Sequence, residues 1–343
     1  MSDEFPRTGW LRMGGDARAL GRAVGLQGRA AVHRHLLVSA IWNRIATRAR
    51  TAAVARMADT VAAHYPDILD EIEAMAEGLD LPFEEVFAWN CRGELLAASP
   101  DGCTTLMQPG ETPVLAHNED GLPFFRGSCF ILEAEPEAAP RFHAFCYPGS
   151  LPGHTFTINA HGMVQTVNNL RLTGLAAQVP RMVLGRAILR AGSIDEALDT
   201  LRAAPPSAGF HFTLAQCGDS RLTSVEFGAG AVSTQNITAP AIHANHALHH
   251  PAGLERQTIT RSSRDRQARG TALLGQGRTA PLDILHDTGG PGLPIHRSAP
   301  DDPDDENTLA TAIFEIGTEA VTWSVHDQPG GGAAYVRTLD RSA

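Results

Sequence analysis

Cys103 stands at the point where the sequence changes from one pattern to another. A turn, Ser99-Pro100-Asp101-Gly102, precedes it, and an apolar strand-like run, Thr104-Thr105-Leu106-Met107, follows it. A chain cut at the Gly102–Cys103 bond would begin with a cysteine. Such a residue supplies a thiol nucleophile and, through its freed α-amino group, the base that activates the thiol. The position therefore predicts self-cleavage followed by acyl-transfer chemistry.

Gly102 supports this interpretation because glycine adopts backbone conformations that are closed to other residues, so strain can be stored in the peptide that is cut. The Cys103 thiol would attack the Gly102 carbonyl and form a thioester that water resolves. The freed α-amine has a reference pKa of about 8, which suits it to act as a base near neutral pH.

Two further polar residues are candidates for the same site. A four-residue hairpin loop at 109–112 would place Cys103 opposite Asn118, and Asp120 would then lie near the exposed end of Cys103, where it could orient the α-amine. An ordinary surface hairpin explains these residues equally well. Asn245, at the end of a predicted strand, offers a side-chain amide to a developing oxyanion, although a strand-end turn is the better explanation of this residue taken alone.

Metal chemistry is weakly indicated. The histidines His243, His246, His249 and His250 cluster, but they lack the helix and the glutamate of an HExxH motif, so we predict no metal site. A calcium site in the acidic segment 296–307 is less expected than a solvated loop. A dyad of Cys103 with a histidine stays open, because the sequence places no histidine beside the thiol.

Composition limits the function classes. With 343 residues, 43% hydrophobic and 19% charged, the chain suits a soluble globular protein with an ample core. No apolar run reaches membrane-spanning length and the N-terminus lacks a secretion signal, which predicts a cytoplasmic location. The sequence contains no lysine, which excludes a lysine Schiff base and a P-loop. The net charge of −10 disfavours a general nucleic-acid binder.

Periodicity predicts elements that would position these residues. Apolar residues recur at helical spacing from Asp16 to about Leu96. From Cys103 the pattern changes to strands. The predicted strands are 103–108, 113–118, 128–134, 141–146, 154–159, 163–168, 210–217, 221–227, 240–246, 308–316, 320–325 and 333–338. Helices are predicted near 180–191, 193–203 and 262–274. The sum is a mixed α/β protein with two stacked sheets flanked by helices.

The chain also resembles a known family, acyl-coenzyme A:isopenicillin N acyltransferase and its bacterial relatives, which are N-terminal-nucleophile hydrolases. The resemblance rests on four segments in order: Asn90-Cys91-Arg92-Gly93-Glu94-Leu95, Asp101-Gly102-Cys103-Thr104-Thr105, His117-Asn118-Glu119-Asp120 and His243-Ala244-Asn245-His246. It extends over most of the chain from about residue 16.

The resemblance implies a specific architecture. We expect a four-layer sandwich, with two antiparallel sheets between helix layers, and cleavage into a helical α chain (1–102) and a β chain (103–343). The two chains are expected to stay associated. No cofactor is expected, although acyl-coenzyme A could serve as a co-substrate.

The resemblance also implies roles for single residues. Cys103 is the expected nucleophile, Asp120 orients its α-amine, and Asn245 donates to the oxyanion. The expected substrate-binding residues are Asn118, Ser263 and Arg266, together with Asn168 and Asn169, which are candidates only by their position at the end of a predicted hairpin strand. A helix N-cap followed by a solvated arginine explains Ser263 and Arg266 nearly as well.

The predicted function is self-cleavage before Cys103 followed by hydrolysis or transfer of the acyl group of a small N-acyl amide. Penicillin biosynthesis itself is not implied, because relatives also hydrolyse small amides such as β-alanyl conjugates of biogenic amines. Two alternatives remain: a cysteine–histidine hydrolase that never processes itself, and a binding protein on the same fold that has lost catalysis.

Overall fold

The structure is a computed structural model that describes residues 7–96, 102–174 and 176–341. The predicted turn at 99–101 lies outside the described residues. The N-terminal third is built mainly from helices, as predicted. They are α1 Ala17–Ala31, α2 Ala40–Ala46, α3 Ala52–His64, α4 Pro66–Leu79, α5 Phe83–Asn90 and α6 Arg92–Leu95.

Local signals set where these helices begin. The Asp16 side chain accepts a hydrogen bond from the Ala19 N–H at the start of α1, and Ser39 caps α2 in the same way. Pro66 occupies the first turn of α4, where its missing N–H costs no hydrogen bond. The apolar faces of these helices join the main core of the protein.

The strands follow the predicted pattern closely. In chain order they are β1 Gly9–Gly15, β2 Gly102–Gln108, β3 Val114–Gly121, β4 Phe130–Pro136, β5 Phe142–Cys146, β6 Phe156–Asn159, β7 Met163–Leu170, β8 Gly209–Gln216, β9 Asp219–Gly228, β10 Ala231–Asn236, β11 Ala241–His243, β12 Asn307–Ile316, β13 Ala320–His326 and β14 Tyr335–Asp340. The sequence pattern missed β1 and β10.

Strand β1 corrects the prediction that residues 1–102 are helical. It pairs in parallel with β4, with Gly9 opposite Phe130 and Gly15 opposite Pro136. Its partner lies more than a hundred residues away, and its sequence, which is rich in glycine and half exposed, lacks the alternation that marks a strand. The segment before Cys103 therefore contributes an edge strand to a sheet formed by the segment after it.

Two sheets form the centre of the described structure. The large sheet has the order β1-β4-β5-β6-β7-β8-β9-β10, and the small sheet has the order β11-β2-β3-β12-β13-β14. Apart from the β1–β4 pair, the described pairings are antiparallel. Strand β2 of the small sheet packs against β7 of the large sheet, so Cys103 begins a strand at the interface between the sheets.

Helices cover the outer faces of both sheets. On the large sheet α1 contacts β1 and β4, and α8 Ile194–Ala203 contacts β8 and β10, while α4 packs on α1. Side chains of α7 Arg181–Ala187 also reach this sheet. On the small sheet they are α10 Arg261–Gly275 and α11 Pro281–Leu285, while α9 Pro251–Glu255 lies in the connection that precedes α10. The predicted four-layer α/β sandwich is confirmed. Among the described helices none has the length and apolar character needed to cross a membrane.

Candidate active site

The register of the β2–β3 hairpin decides which residues meet Cys103. Cys103 lies opposite Glu119, and Gly102 lies opposite Asp120. The prediction that Cys103 faces Asn118 is wrong by one residue, because the ladder begins with Val114 and the loop includes Pro113. Proline has no N–H to donate to the partner strand, which lengthens the loop by one residue.

This register sorts the hairpin side chains onto two faces, since successive strand residues point to opposite sides. Cys103 and Glu119 share the face that packs against the large sheet. Asn118 and Asp120 share the opposite face, toward α10 and α11. A one-residue slip would exchange the two sets.

The backbone of Cys103 is held by residues from distant segments. Its N–H donates to Asn245 Oδ1 at 2.9 Å. Arg266 Nη2 donates to the same oxygen at 2.5 Å, while Arg266 Nη1 donates to the Cys103 carbonyl and to Thr104 Oγ1. The planar guanidinium thus ties the proposed nucleophile to Asn245.

Helix α10 positions Asn245 as well as Cys103. Thr260 caps the helix, and Ser263 in its first turn accepts a hydrogen bond from the Asn245 N–H at 2.8 Å. Arg266 projects one turn later. The structure therefore brings the Ser263–Arg266 element to Cys103.

A buried carboxylate supports the loop that follows Asn245. Glu226 on β9 accepts hydrogen bonds from His243 Nε2 and from the backbone N–H groups of Leu248, His249 and His250. Burial by itself would raise the pKa of Glu226, but the hydrogen bonds and the neighbouring histidines lower it to about 2. The histidine cluster is thus a loop anchor; no member is among the described residues grouped as metal ligands.

The amide nitrogen of the Asn245 side chain is not used in the hydrogen bonds described above. Its Oδ1 accepts from Cys103 and Arg266, which leaves Nδ2 buried with no hydrogen-bond partner among the described residues. Burying an amide N–H without a hydrogen-bond acceptor costs free energy, and most buried amide groups in proteins are hydrogen-bonded. An oxyanion beside Cys103 would satisfy it.

On the inter-sheet face, Glu119 contacts the Cys103 thiol. Its Oε2 lies 3.7 Å from Cys103 Sγ and 3.1 Å from His117 Nε2, and its Oε1 accepts from the Tyr147 hydroxyl at 2.6 Å. All four side chains are buried. Burial, and to a smaller extent the charge of Arg266, lowers the pKa of His117 to about 3, so its imidazole is neutral near pH 7.

Asp120 lies next to the Gly102–Cys103 bond on the other face. Its Oδ1 accepts from Thr308 Oγ1 at 2.6 Å, and Oδ2 has no partner among the described residues. Burial raises the pKa of Asp120, although Arg266 and Arg297 act in the opposite direction. The structure brings Asp120 to the candidate cleavage site, opposite Gly102.

Two acidic side chains pack closely against Gly102. Gly102 is the first residue of β2. A Cβ at this position would collide with Glu306 Oε2 and would lie 3.3 Å from Asp120 Cβ. A larger residue would therefore have to displace the Glu306 carboxylate from its contact with Arg297.

The acidic loop is organised around the buried Arg297, while residues 298–301, Pro303 and Asp305 are exposed to solvent. The buried Arg297 guanidinium binds Asp302 and Glu306, and it contacts Asp304 at 3.2 Å. Glu306 also lies 3.5 Å from Arg171. The loop thereby carries Glu306 to the site, where burial raises its pKa to about 7.

The three asparagines predicted as substrate contacts differ in position. Asn118 donates to the Leu285 carbonyl and accepts from Thr311, both at 2.6 Å, on the face away from the thiol. Asn168 belongs to the buried network behind His117. Asn169 lines a small cavity beside the thiol. The cavity is lined by Arg92, Cys103, Glu119, His154, Val167, Asn169, Arg181, Met182 and Phe210.

One group of described residues has the atoms for a metal site. The ligand atoms of Cys103, His117 and Glu119 all lie within 4.8 Å of one another. These residue types bind zinc. A metal there would consume the thiol and replace the Glu119–His117 hydrogen bond, so the arrangement fits a proton-transfer network at least as well.

Sequence reasoning missed Glu119, His117 and Tyr147 as members of this site. The segment His117-Asn118-Glu119-Asp120 contains two of them, but the predicted hairpin register, which was wrong by one residue, placed Asn118 and Asp120 near Cys103 instead. Tyr147 carries no sequence signal, because only the packing of the two sheets brings it to Glu119. The same holds for Glu306, which seemed to belong to a solvated loop.

The sequence of this chain is similar to one protein family and to one characterised relative. Residues 106–329 match the family model described as acyl-coenzyme A:6-aminopenicillanic acid acyl-transferase. A stretch of 161 residues is 27% identical to beta-alanyl-dopamine/carcinine hydrolase of Drosophila melanogaster, and it covers 41% of this chain and 42% of that protein. The chain thus matches less than half the length of this relative.

Two solved structures are also similar. An N-acylethanolamine-hydrolyzing acid amidase ortholog from Caenorhabditis elegans has 10% identity and a TM-score of 0.44, covering 62% of this chain and 92% of that one. A mutant conjugated bile acid hydrolase from Clostridium perfringens has 10% identity and a TM-score of 0.41, covering 69% of this chain and 92% of that one.

Proposed function

Since the chain belongs to the acyl-coenzyme A:6-aminopenicillanic acid acyl-transferase family, we propose that it is a self-processing cysteine amidohydrolase or acyltransferase that acts on a small N-acyl amide. The observation that carries the proposal is the contact between the Cys103 N–H and Asn245 Oδ1, next to an Asn245 amide donor that has no partner among the described residues.

In the first step the Cys103 thiol adds to the Gly102 carbonyl carbon. The Gly102–Cys103 C–N bond breaks as the C–S bond forms, and the thiol proton ends on the new α-amine. Water then hydrolyses the thioester, which leaves a carboxylate on Gly102 and a free thiol on Cys103. The products are an α chain, 1–102, and a β chain, 103–343.

In the second step the mature Cys103 attacks the carbonyl of the substrate. Its α-amine accepts the thiol proton and passes it to the leaving amine, and Asp120 orients that α-amine. Asn245 Nδ2 donates to the oxyanion, a contribution of about 3 kcal/mol in comparable enzymes. Water or an acceptor amine then takes the acyl group from the thioester.

The α and β chains stay associated in this proposal. The edge strand β1 pairs with β4, and helix α1, on which α4 packs, contacts both of these strands. Cleavage of one bond leaves these contacts intact. Ser263, Arg266, Asn168 and Asn169 would shape the site, while Asn118 acts through the packing of β3 on α11.

Substrate choice starts from the relatives. We propose β-alanyl amides as the first substrates to test, because the matched Drosophila protein is named a beta-alanyl-dopamine/carcinine hydrolase. The name of the matched family adds acyl-coenzyme A with 6-aminopenicillanic acid. Activity that requires the coenzyme would establish a transferase, and simple amide cleavage would establish a hydrolase.

Mass spectrometry of the freshly purified protein tests the proposal. We expect two chains that begin at residues 1 and 103 and whose summed mass exceeds that of the intact chain by one water. The variant Cys103→Ala should stay as one chain and have no activity. A single intact species in an active wild-type preparation would overturn self-processing.

A cysteine–histidine hydrolase without cleavage is the second candidate. It is favoured by one observation, the position of His117 within 4.8 Å of the ligand atoms of Cys103 and Glu119. Its weakness is the lowered pKa of His117, which makes the imidazole a poor direct base. An active, uncleaved wild type that is inactivated by His117→Gln would establish this candidate.

A further inference from the structure

A second cavity, of about 310 Å³, shares no lining residue with the cavity beside the Cys103 thiol. Four segments surround it: the start of α1, the start of α4, the β4–β5 turn at 136–139, and α7 with the turn that follows it. Two of these segments precede the Gly102–Cys103 bond and two follow it. The cavity therefore lies between parts of the chain that self-cleavage would separate.

The buried charged side chain at this cavity is Arg186 of α7, which is 3% exposed. Its Nε donates to the two carboxylate oxygens of Glu71 on α4, at 3.0 and 3.3 Å. Its guanidinium also lies over the Phe142 ring, 4.8 Å from the ring centroid. These contacts engage one N–H and the face of the group. Nη1 is buried and has no hydrogen-bond partner among the described residues.

The unpaired end of Arg186 points to an anionic ligand group. A guanidinium carries five N–H donors, and buried polar groups in proteins are nearly always hydrogen-bonded. A carboxylate is an acceptor that fits the guanidinium fork, since two parallel N–H groups can donate to its two oxygens. A ligand carboxylate in the cavity would thus pair donors that Glu71 leaves unused.

The start of α1 offers further donors to the same anionic group. Ala17 and Arg18, the first two residues of the helix, line the cavity. Their N–H groups have no acceptor within the helix, and the positive end of the helix dipole favours a negative charge there. The next N–H, that of Ala19, already donates to Asp16 Oδ1 at 2.7 Å.

The rim of the cavity carries the opposite charge. Asp70 of α4 and Glu137, just after β4, line the cavity and are exposed. The other two acidic residues of the lining already have partners, because Asp16 caps α1 and Asp67 pairs with Arg190. Two rim carboxylates would repel a simple anion, whereas they would attract an ammonium group. The cavity thus fits a ligand that carries one charge of each sign.

We propose that this cavity binds a small zwitterionic amino acid. Its carboxylate accepts hydrogen bonds from Arg186 and from the first turn of α1, and its ammonium group lies at the rim, between Asp70 and Glu137. The proposal goes beyond the proposed function and does not depend on it, because the groups that bind the ligand lie outside the Cys103 site.

Calorimetric titration of the intact Cys103→Ala protein with β-alanine tests the proposal. This probe is chosen because cleavage of the β-alanyl amides proposed above would release it. We expect saturable binding of one molecule and a melting temperature that rises with its concentration. Propionate, which lacks the ammonium group, and β-alaninamide, which lacks the carboxylate, should each bind about tenfold more weakly or worse.

Two further changes, made in the same Cys103→Ala protein, locate the binding. Arg186→Lys keeps a positive charge beside Glu71 but removes Nη1, and Asp70→Asn removes a rim charge. Each should weaken β-alanine binding about tenfold or more. Asp59→Asn is the matched control for Asp70→Asn, since Asp59 is also an exposed helical aspartate and lies outside the cavity. It should bind β-alanine with unchanged affinity. If Arg186→Lys fails to fold, the comparison of Asp70→Asn with Asp59→Asn decides.

The remaining outcomes would overturn the proposal. They are no saturable binding of β-alanine, equal affinity for propionate, and β-alanine binding that Arg186→Lys and Asp70→Asn leave unchanged. The last result would place β-alanine elsewhere, for example beside residue 103. Failure of the wild type to cleave itself would overturn self-processing and leave this test of the cavity valid.

Discussion

Cys103 and Asn245 are 142 positions apart in the chain, yet the Cys103 N–H donates to Asn245 Oδ1 at 2.9 Å. Strand β11 pairs with β2, with His243 opposite Thr105, and this pairing carries Asn245 to the start of β2. Arg266 then closes the arrangement by binding both residues. A side-chain amide and a thiol from distant segments thereby share one buried site.

The variant Asn245→Asp distinguishes the role of the Asn245 side-chain oxygen from the role of its amide nitrogen. A carboxylate keeps an acceptor for Cys103 and Arg266 but has no amide donor for the oxyanion. We expect the turnover of a β-alanyl amide to fall by about 100- to 1,000-fold with the fold retained. Steady-state kinetics and a melting curve measure the two effects, and full turnover in the variant would contradict the role of Nδ2.

Gly102→Ala tests the steric requirement at the cleavage site. The new Cβ would collide with Glu306 Oε2, so we expect slower self-cleavage, seen as accumulated full-length chain on a denaturing gel. Adding Glu306→Ala should restore part of the rate, because it removes the colliding carboxylate. If the double variant cleaves as slowly as Gly102→Ala alone, the slowing comes from the backbone at position 102 and not from the collision with Glu306.

Arg266→Lys removes the guanidinium geometry and keeps a positive charge. One ammonium group cannot bind the Cys103 carbonyl, Thr104 and Asn245 together in the way that a planar fork can. We expect turnover to fall by about tenfold or more, and Arg266→Ala to lose about 3 kcal/mol of unfolding free energy because a buried charge network is broken. Denaturant titration of both variants gives this comparison; equal stability of wild type and Arg266→Ala would refute it.

Glu226 makes the free energy of unfolding depend on pH below about pH 4.5. Its folded pKa of about 2 lies below the ordinary value of 4.5, so its ionised form stabilises the fold by about 3 kcal/mol above pH 4.5. This contribution declines as the pH falls from 4.5 toward 2. The wild-type advantage over Glu226→Gln should therefore be present at pH 7 and shrink toward pH 2.

Melting temperatures of wild type and Glu226→Gln across this pH range provide the measurement. Glu315→Gln serves as the control, because its side chain is exposed on β12 and should give no pH-dependent difference of this kind. A difference between wild type and Glu226→Gln that stays constant from pH 7 to pH 2 would show that the Glu226 charge does not supply the stabilisation.

Local patterns accounted for most elements of the fold. Helical spacing from Asp16 to Leu96 and strand patterns after Cys103 correspond to observed helices and strands, because periodicity reflects which face of an element is buried. Strands β1 and β10 were missed, and β1 shows the reason most clearly. Its parallel partner lies in a distant segment, and no local signal reports such a pairing.

The sequence by itself determined the residue types of the candidate site: a cysteine after glycine at a helix-to-strand change, an Asn-Glu-Asp segment and a distant asparagine. Only the tertiary structure decided which of them meet. A loop that includes Pro113 shifted the hairpin by one residue and brought Glu119, rather than Asn118, to the thiol. Strand side chains alternate between faces, so a single residue of register selects the chemistry of a site, and register depends on long-range packing.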